Sequence, residues 1–168
     1  MITVLKESLW TQFGASMDML KNAITLWPEE RWASHKKFFY MSYHCLIFLD
    51  YYLNFPAKQE FVSPLPFTET GTIPPDGIDD LVPNRIYSKQ ELLDYLKSCR
   101  EKCRTVITNL TEEKLHERWI QVSWNRNYSV LELLMYNMRH VQHHTAQLNM
   151  LLRQEINDAP KWVSRALD

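Results

Sequence analysis

Three histidines in this chain are of the right type and spacing to share one metal ion. His140 and His144, in the run RHVQHHTAQL, stand four residues apart. On a helix that spacing puts them about 40° apart, one turn above the other, with ring nitrogens that can meet at a divalent cation. Both flank the stripe set by Val141 and Leu148, whereas His143 falls about 160° or more from it and is expected in solvent. By itself such a pair fits the edge of a core as well as it fits a metal site. His44 lies in HKKFFYMSYHCLIFLDYYLN and shares its face with Tyr40, Met41, Ile47, Phe48 and Tyr51, all within about 60°. An inward-facing histidine needs a partner, and alone it is most often a neutral core imidazole bonded to a carbonyl or hydroxyl. Taken jointly, three histidines on two facing helices can fill three corners of a tetrahedron or one face of an octahedron. The remaining positions are then open to water or substrate.

No carboxylate on these two helical segments faces the histidines, so water is expected to complete the metal's shell. Asn137, one turn before His140, is a candidate to support the site, although a surface amide is the commoner role. The other reactive side chains carry less. Cys99 and Cys103 continue a leucine stripe and read as small core residues. Cys45 adjoins His44 but points about 100° away, so a Cys–His catalytic pair is not expected. His35 and His116 have polar neighbours and read as surface. The sequence holds no glycine-rich phosphate loop and no serine nucleophile elbow. The aromatic face around His44 lacks the interleaved basic residues of a base-stacking platform.

The elements that must position these groups are helical. From Thr3 to Leu26, residues Leu5, Leu9, Phe13, Met17, Leu20 and Ile24 recur at spacings of three and four, and Pro28 ends the pattern. A second helix, from about Ser34 to Asn54, is apolar round most of its circumference and should be the most buried. The stretch Pro56 to Tyr87 holds six of the eight prolines and two of the three glycines. Its apolar residues Phe61, Leu65, Phe67, Ile73, Ile78 and Leu81 argue for an ordered crossover that packs on the body. Ser88-Lys-Gln-Glu91 is a capping box opening a third helix whose stripe is Leu92, Leu96, Cys99, Cys103, Val106 and Leu110. Thr111-Glu-Glu is another N-cap, and WIQVSWNRNYS reads as a connector too short to demand a sheet. Ser129-Val-Leu-Glu132 is a second capping box and opens the last long helix, to about Glu155. The tail beyond Asn157 is expected to fold back as a cover. The fold expected is all-α: a four-helix bundle with one long Pro-rich crossover between helices 2 and 3.

These elements, with Trp-Pro-Glu-Glu after the first helix, one histidine in an aromatic second helix and His-x-x-x-His-x-x-Gln-Leu in the last (His140, His144, Gln147, Leu148), resemble the DinB/YfiT-like superfamily. The resemblance extends over essentially the whole chain, with the three-histidine arrangement its most specific part. It implies an up-up-down-down bundle with a divalent ion at His44, His140 and His144, often in a homodimer. Members include thiol S-transferases and a thiol-dependent isomerase, so a low-molecular-weight thiol cosubstrate enters as an expectation from the family. Nothing in the chain matches one branch's substrate. The resulting expectation is a divalent-metal-dependent enzyme of thiol S-transferase-like or metal-assisted hydrolase chemistry on a small-molecule substrate. Tyr40, Tyr51 and the crossover would shape its pocket. The alternative is a non-catalytic dimeric stress-response bundle with a structural metal. Zinc or nickel suits three imidazoles best, with iron or manganese also open.

Composition bounds the rest. The 168 residues suit one domain, 1–168, able to bury a core without staples. Nineteen basic against twenty acidic residues give a net charge of -1, which disfavours gripping nucleic acid through phosphates. No apolar run is long enough for a membrane span, and the start MITVLKESLWTQF shows no secretory pattern. Three cysteines without scaffold spacing fit a reducing cytoplasm. Three glycines against six tryptophans favour helices over a turn-rich fold.

Overall fold

The computed structural model describes residues 1–58 and 60–166; Gln59, within the expected crossover, and Leu167 and Asp168, within the expected domain range, lie outside the described residues. The chain is mostly helical. Its elements are α1 (Ile2–Leu26), α2 (Lys36–Tyr51), β1 (Phe67–Glu69), β2 (Leu81–Pro83), α3 (Lys89–Thr108), α4 (Glu112–His116), β3 (Arg118–Gln121), β4 (Arg126–Ser129) and α5 (Val130–Ile156). Among the described residues, no helix is long and apolar enough to cross a membrane. The N-caps read from sequence are in place, although at Ser129 only the hydroxyl half of the expected capping box forms. Ser88 and Glu91 form a reciprocal capping box at α3. The Thr111 hydroxyl accepts from the Lys114 N–H at α4, and Ser129 accepts from the Glu132 N–H at α5.

Helices α1 and α2 each pack against both α3 and α5. The expected stripes supply the interior: Phe13, Met17, Leu20 and Ile24 meet Leu92, Leu96, Cys99 and Cys103, with Leu134, Val141, Leu148 and Leu152 from α5. Contacts along the helices give their directions. Lys6 donates to the Thr108 carbonyl, Arg100 pairs with Asp18, and Lys89 donates to the Trp27 carbonyl, so α1 and α3 are antiparallel. The Trp32 indole donates to the Tyr87 carbonyl ahead of α2 and α3, while Asp50 near the end of α2 bonds Tyr95 and Lys102, so these two run parallel. Arg31 bonds Glu155 and the Tyr52 ring meets that of Tyr136, so α2 and α5 are antiparallel.

It follows that α1 and α2 run in opposite directions, which corrects the up-up order. The reason is the link 27–35, a compact turn that cannot travel back along the roughly 37 Å of α1. The long crossover instead joins α2 to α3, the pair that does run parallel. That crossover is ordered as expected: Phe61, Leu65, Phe67, Ile78 and Leu81 pack on the core, although Ile73 is exposed. It also contains the antiparallel ribbon β1–β2.

A second correction concerns WIQVSWNRNYS, which is no plain connector. β3 and β4 pair antiparallel, Arg118 with Ser129 through Gln121 with Arg126. The turn between them passes through a short 3-10 segment and Asn125 in the left-handed region, at φ 49°. Asparagine tolerates that conformation. Trp119 on β3 is buried and donates its indole N–H to the Asn54 carbonyl, anchoring the hairpin to the end of α2. The tail does cover α1: the Ala166 N–H donates to the Thr11 carbonyl, and Ala166 lies so near Gly14 that any Cβ there would stand 2.6 Å from its own.

The last turn of α2 leaves carbonyls without intrahelical donors, and other elements supply them. Asn137 of α5 donates to the Leu49 carbonyl at 3.0 Å, and Asn54 donates to the Asp50 carbonyl at 2.8 Å. Asn137 is fully buried and is therefore a clamp across the α2–α5 seam. Replacing it with leucine, matched in branching but unable to donate, is expected to lower the unfolding free energy by about 1–3 kcal/mol. Urea unfolding of Asn137→Leu beside the native chain checks this, and equal midpoints would remove the clamp's importance.

Candidate metal centre in the seam between two helices

The three predicted histidines converge. His44 projects from the middle of α2, and His140 and His144 from successive turns of α5. One ligand atom from each lies within 4.8 Å of the others. The antiparallel pairing of α2 and α5 makes this meeting, with Phe48 and Tyr52 one and two turns further along α2 packing on the His140 ring. The Nε2 atoms of His44 and His140 are 3.2 Å apart, close to the separation of two nitrogens each about 2 Å from a common ion.

Outer hydrogen bonds decide which nitrogen faces inward. The His44 Nδ1 is 2.6 Å from the Asp79 Oδ2. An ionised carboxylate only accepts, so Nδ1 carries the proton and donates, and Nε2 offers its lone pair to the site. The His144 Nδ1 donates to the Gln147 Oε1 at 2.8 Å, one turn further along α5, with the same consequence for its Nε2. The buried His140 Nδ1 has no partner among the described residues, so no neighbour fixes its tautomer. At 3.2 Å the Nε2 atoms of His44 and His140 can share either a proton or an ion. Three neutral imidazoles at this spacing suit a divalent ion, so the donor set fits a metal.

Burial holds two of these rings neutral. The His140 pKa is lowered to about 3 by burial, with the charges of His144 and His44 adding to it. The His144 pKa is lowered to about 4, again by burial first and His44 second, while its bond to Gln147 pulls the other way. Neutral imidazole is the form that binds a metal.

The cluster lies at a cavity of about 570 Å³ whose walls include Phe48, Ile78, Trp124, Arg126 and Tyr136. His143 is exposed at its rim, as its position on the helix predicts. The supporting cast differs from expectation. Asp79 comes from the crossover, not from a helix, and is anchored by the Leu81 N–H donating to its other oxygen at 3.0 Å. Its sequence signal was the acidic pair Asp79-Asp80 just ahead of Leu81. Asn137 does not touch the histidines; it is occupied with the Leu49 carbonyl. Tyr51 lies across Phe48 and Trp124, in a neighbouring cavity, where its hydroxyl bonds Gln121. Tyr40 packs on Phe39. His35 is not a surface residue: it is half-buried, edge-on to Trp27, with Nε2 3.5 Å from Glu155. His116 is exposed. All three cysteines are buried, and burial pushes each thiol upward, so none is a ready nucleophile.

A helical protein with three histidines clustered across an antiparallel helix pair is the class that fold and site define. The DinB family model matches residues 83–155. That stretch runs from the end of β2 almost to the end of α5 and includes His140, His144 and Gln147, while His44 lies outside it. Over that stretch the match bears out the resemblance read from the sequence. No curated protein matches the chain.

Neutral, buried imidazoles make stability depend on pH. The folded pKa values of His140 and His144 lie below the ordinary histidine value near 6.5. As pH falls through about 6.5 the unfolded chain takes up protons that the folded chain refuses until pH 3–4, so stability falls. With a chelator present, the loss between pH 7 and 5 is expected to approach, for each imidazole, about 1 kcal/mol per pH unit, solvent screening holding it below the limiting 1.4 or so. Urea unfolding at several pH values measures this slope, and His140→Leu with His144→Leu should flatten it. A native chain already flat from pH 7 to 5 would contradict the neutral state.

Proposed function

We propose that this chain is a divalent-metal-dependent enzyme whose ion is held by His44, His140 and His144. The observation that carries the reading is the convergence of three imidazole nitrogens within 4.8 Å, two of them aimed inward by Asp79 and Gln147, beside a cavity large enough for a small molecule. A bound zinc or nickel would supply Lewis acidity, lowering the pKa of a thiol or water so that it is nucleophilic at neutral pH. The chain's own contributions are distinct. Asp79 and Gln147 hold protons on the outer nitrogens and keep the inner lone pairs directed at one point. Phe48, Ile78 and Trp124 wall the cavity with apolar surface and limit water. Among the transferase and hydrolase chemistries, transfer of a thiol to an electrophile fits the family resemblance best, and metal-assisted hydrolysis is second. The same reading makes the protein a cytoplasmic homodimer that acts on a small molecule and engages neither nucleic acid nor membrane. The cavity favours catalysis over a structural ion, since a structural site is closed on all sides.

Metal analysis by mass spectrometry on untagged protein tests the reading. About one zinc or nickel per chain is expected from tetrahedral imidazole sites, and a His44→Ala, His144→Ala double variant should lose it. No uptake even after reconstitution with zinc, nickel, iron and manganese would leave the histidines structural. A separate arm probes Asp79: Asp79→Ala should weaken metal affinity by roughly 10–100-fold while the fold persists. Unchanged affinity would show that Asp79 does not orient His44.

A further inference from the structure

Arg126, the first residue of β4, stands in the wall of the histidine cavity without a carboxylate. Among the described residues no Asp or Glu lies within ion-pair distance of it. Its guanidinium is instead held by neutral groups. Nη1 donates to the Tyr52 hydroxyl at 2.7 Å and to the Tyr136 hydroxyl at 3.2 Å. The rings of Trp124, Tyr136 and Tyr52 surround it at 5.4, 5.5 and 5.9 Å from their centroids. This cage orients the planar cation and leaves its charge uncompensated. The N–H groups on Nη2 and Nε have no partner among the described residues. Arg126 is only half-buried, so these donors can be reached from the cavity.

The placement is specific to the site. Tyr52, which binds Arg126, also packs on the His140 ring at 6.2 Å, and the arginine's positive charge is among the influences that keep His140 neutral. The one carboxylate at the cluster, Asp79, is already engaged by His44 and the Leu81 N–H. The lining of the cavity thus combines a fixed cation, three imidazoles and the apolar side chains of Phe48, Ile78 and Trp124.

We infer that Arg126 is the recognition residue for an organic anion: a small molecule with an apolar body and a carboxylate-type group, bound by the free edge of the guanidinium. Planar guanidinium and carboxylate match in two parallel hydrogen bonds. The rest of the molecule then shares the cavity with His140 and His144. This inference deepens the metal-enzyme reading by naming the substrate class, and it rests on that reading only for what happens at the histidines. Anion recognition by Arg126 needs no metal.

Benzoate, with neutral benzamide as its control, is the probe, titrated calorimetrically into zinc-loaded and chelator-treated protein. Chelator-treated native protein should bind benzoate in preference to benzamide. Arg126→Gln should weaken benzoate binding by roughly tenfold or more in both states, as expected for losing a charge-assisted pair. Arg126→Lys, which keeps the charge without the fork, should retain part of it. Equal benzoate affinity in the native chain and a folded Arg126→Gln variant overturns the inference. So does native, chelator-treated protein that binds benzoate no better than benzamide, a result that stands even if Arg126→Gln does not fold. Failure of zinc to load, with the benzoate preference intact, would instead remove the metal reading and leave the anion site.

Discussion

The antiparallel seam between α2 and α5 is the constraint on which the site depends. Burying an imidazole among aromatic rings costs free energy for each nitrogen left without a partner. Two of the three rings find that partner outward, His44 on Asp79 and His144 on Gln147, so that all three can face one another inward. The seam is held in register by other contacts at both ends: Arg31 on Glu155 at one, and Asn137 on the Leu49 carbonyl together with Tyr52 on Tyr136 at the other. A shift of one helical turn, about 5.4 Å, would separate the rings beyond any shared ion.

The two irregular parts of the chain serve the seam from opposite sides. The crossover 56–87 arrives with β2 and sets Asp79 against His44, and the Asp79 side chain is fixed by the backbone two residues on. The β3–β4 hairpin, anchored by Trp119 to the end of α2, carries Trp124 and Arg126 to the cavity wall. Helices thus provide the rigid donors, and loops provide the carboxylate and the guanidinium that set the site's charge. That division is common where a rigid scaffold presents functional loops.

Much of this was legible in the residues. Apolar spacing in α1, α3 and α5 placed the core, Pro28 and the caps at Ser88, Thr111 and Ser129 set the helix ends, and the i, i+4 spacing of His140 and His144 marked the site. The buried cysteines followed from the stripe they continue. Less legible were features with no local period. WIQVSWNRNYS alternates for too few residues to declare a hairpin, and its pairing depends on Trp119 finding a carbonyl 65 positions earlier. Asp79 and Arg126 look like ordinary loop charges until the fold shows what lies beside them. His35 looked polar because its neighbours in sequence are polar, whereas its neighbours in space are Trp27 and Glu155.

The helices, their buried faces and the facing of His140 and His144 could be read from residues a few positions apart, because helical period and capping are local; grouping His44 with them came from the joint pattern and the resemblance. Tertiary structure decided the helix directions, the carboxylate behind His44 and the cation facing the cavity. Those depend on which distant segments share a surface. The short link after α1 forces a reversal and the long crossover permits a parallel return, so chain geometry, not local preference, brings residues 44, 79, 126 and 140 to one place.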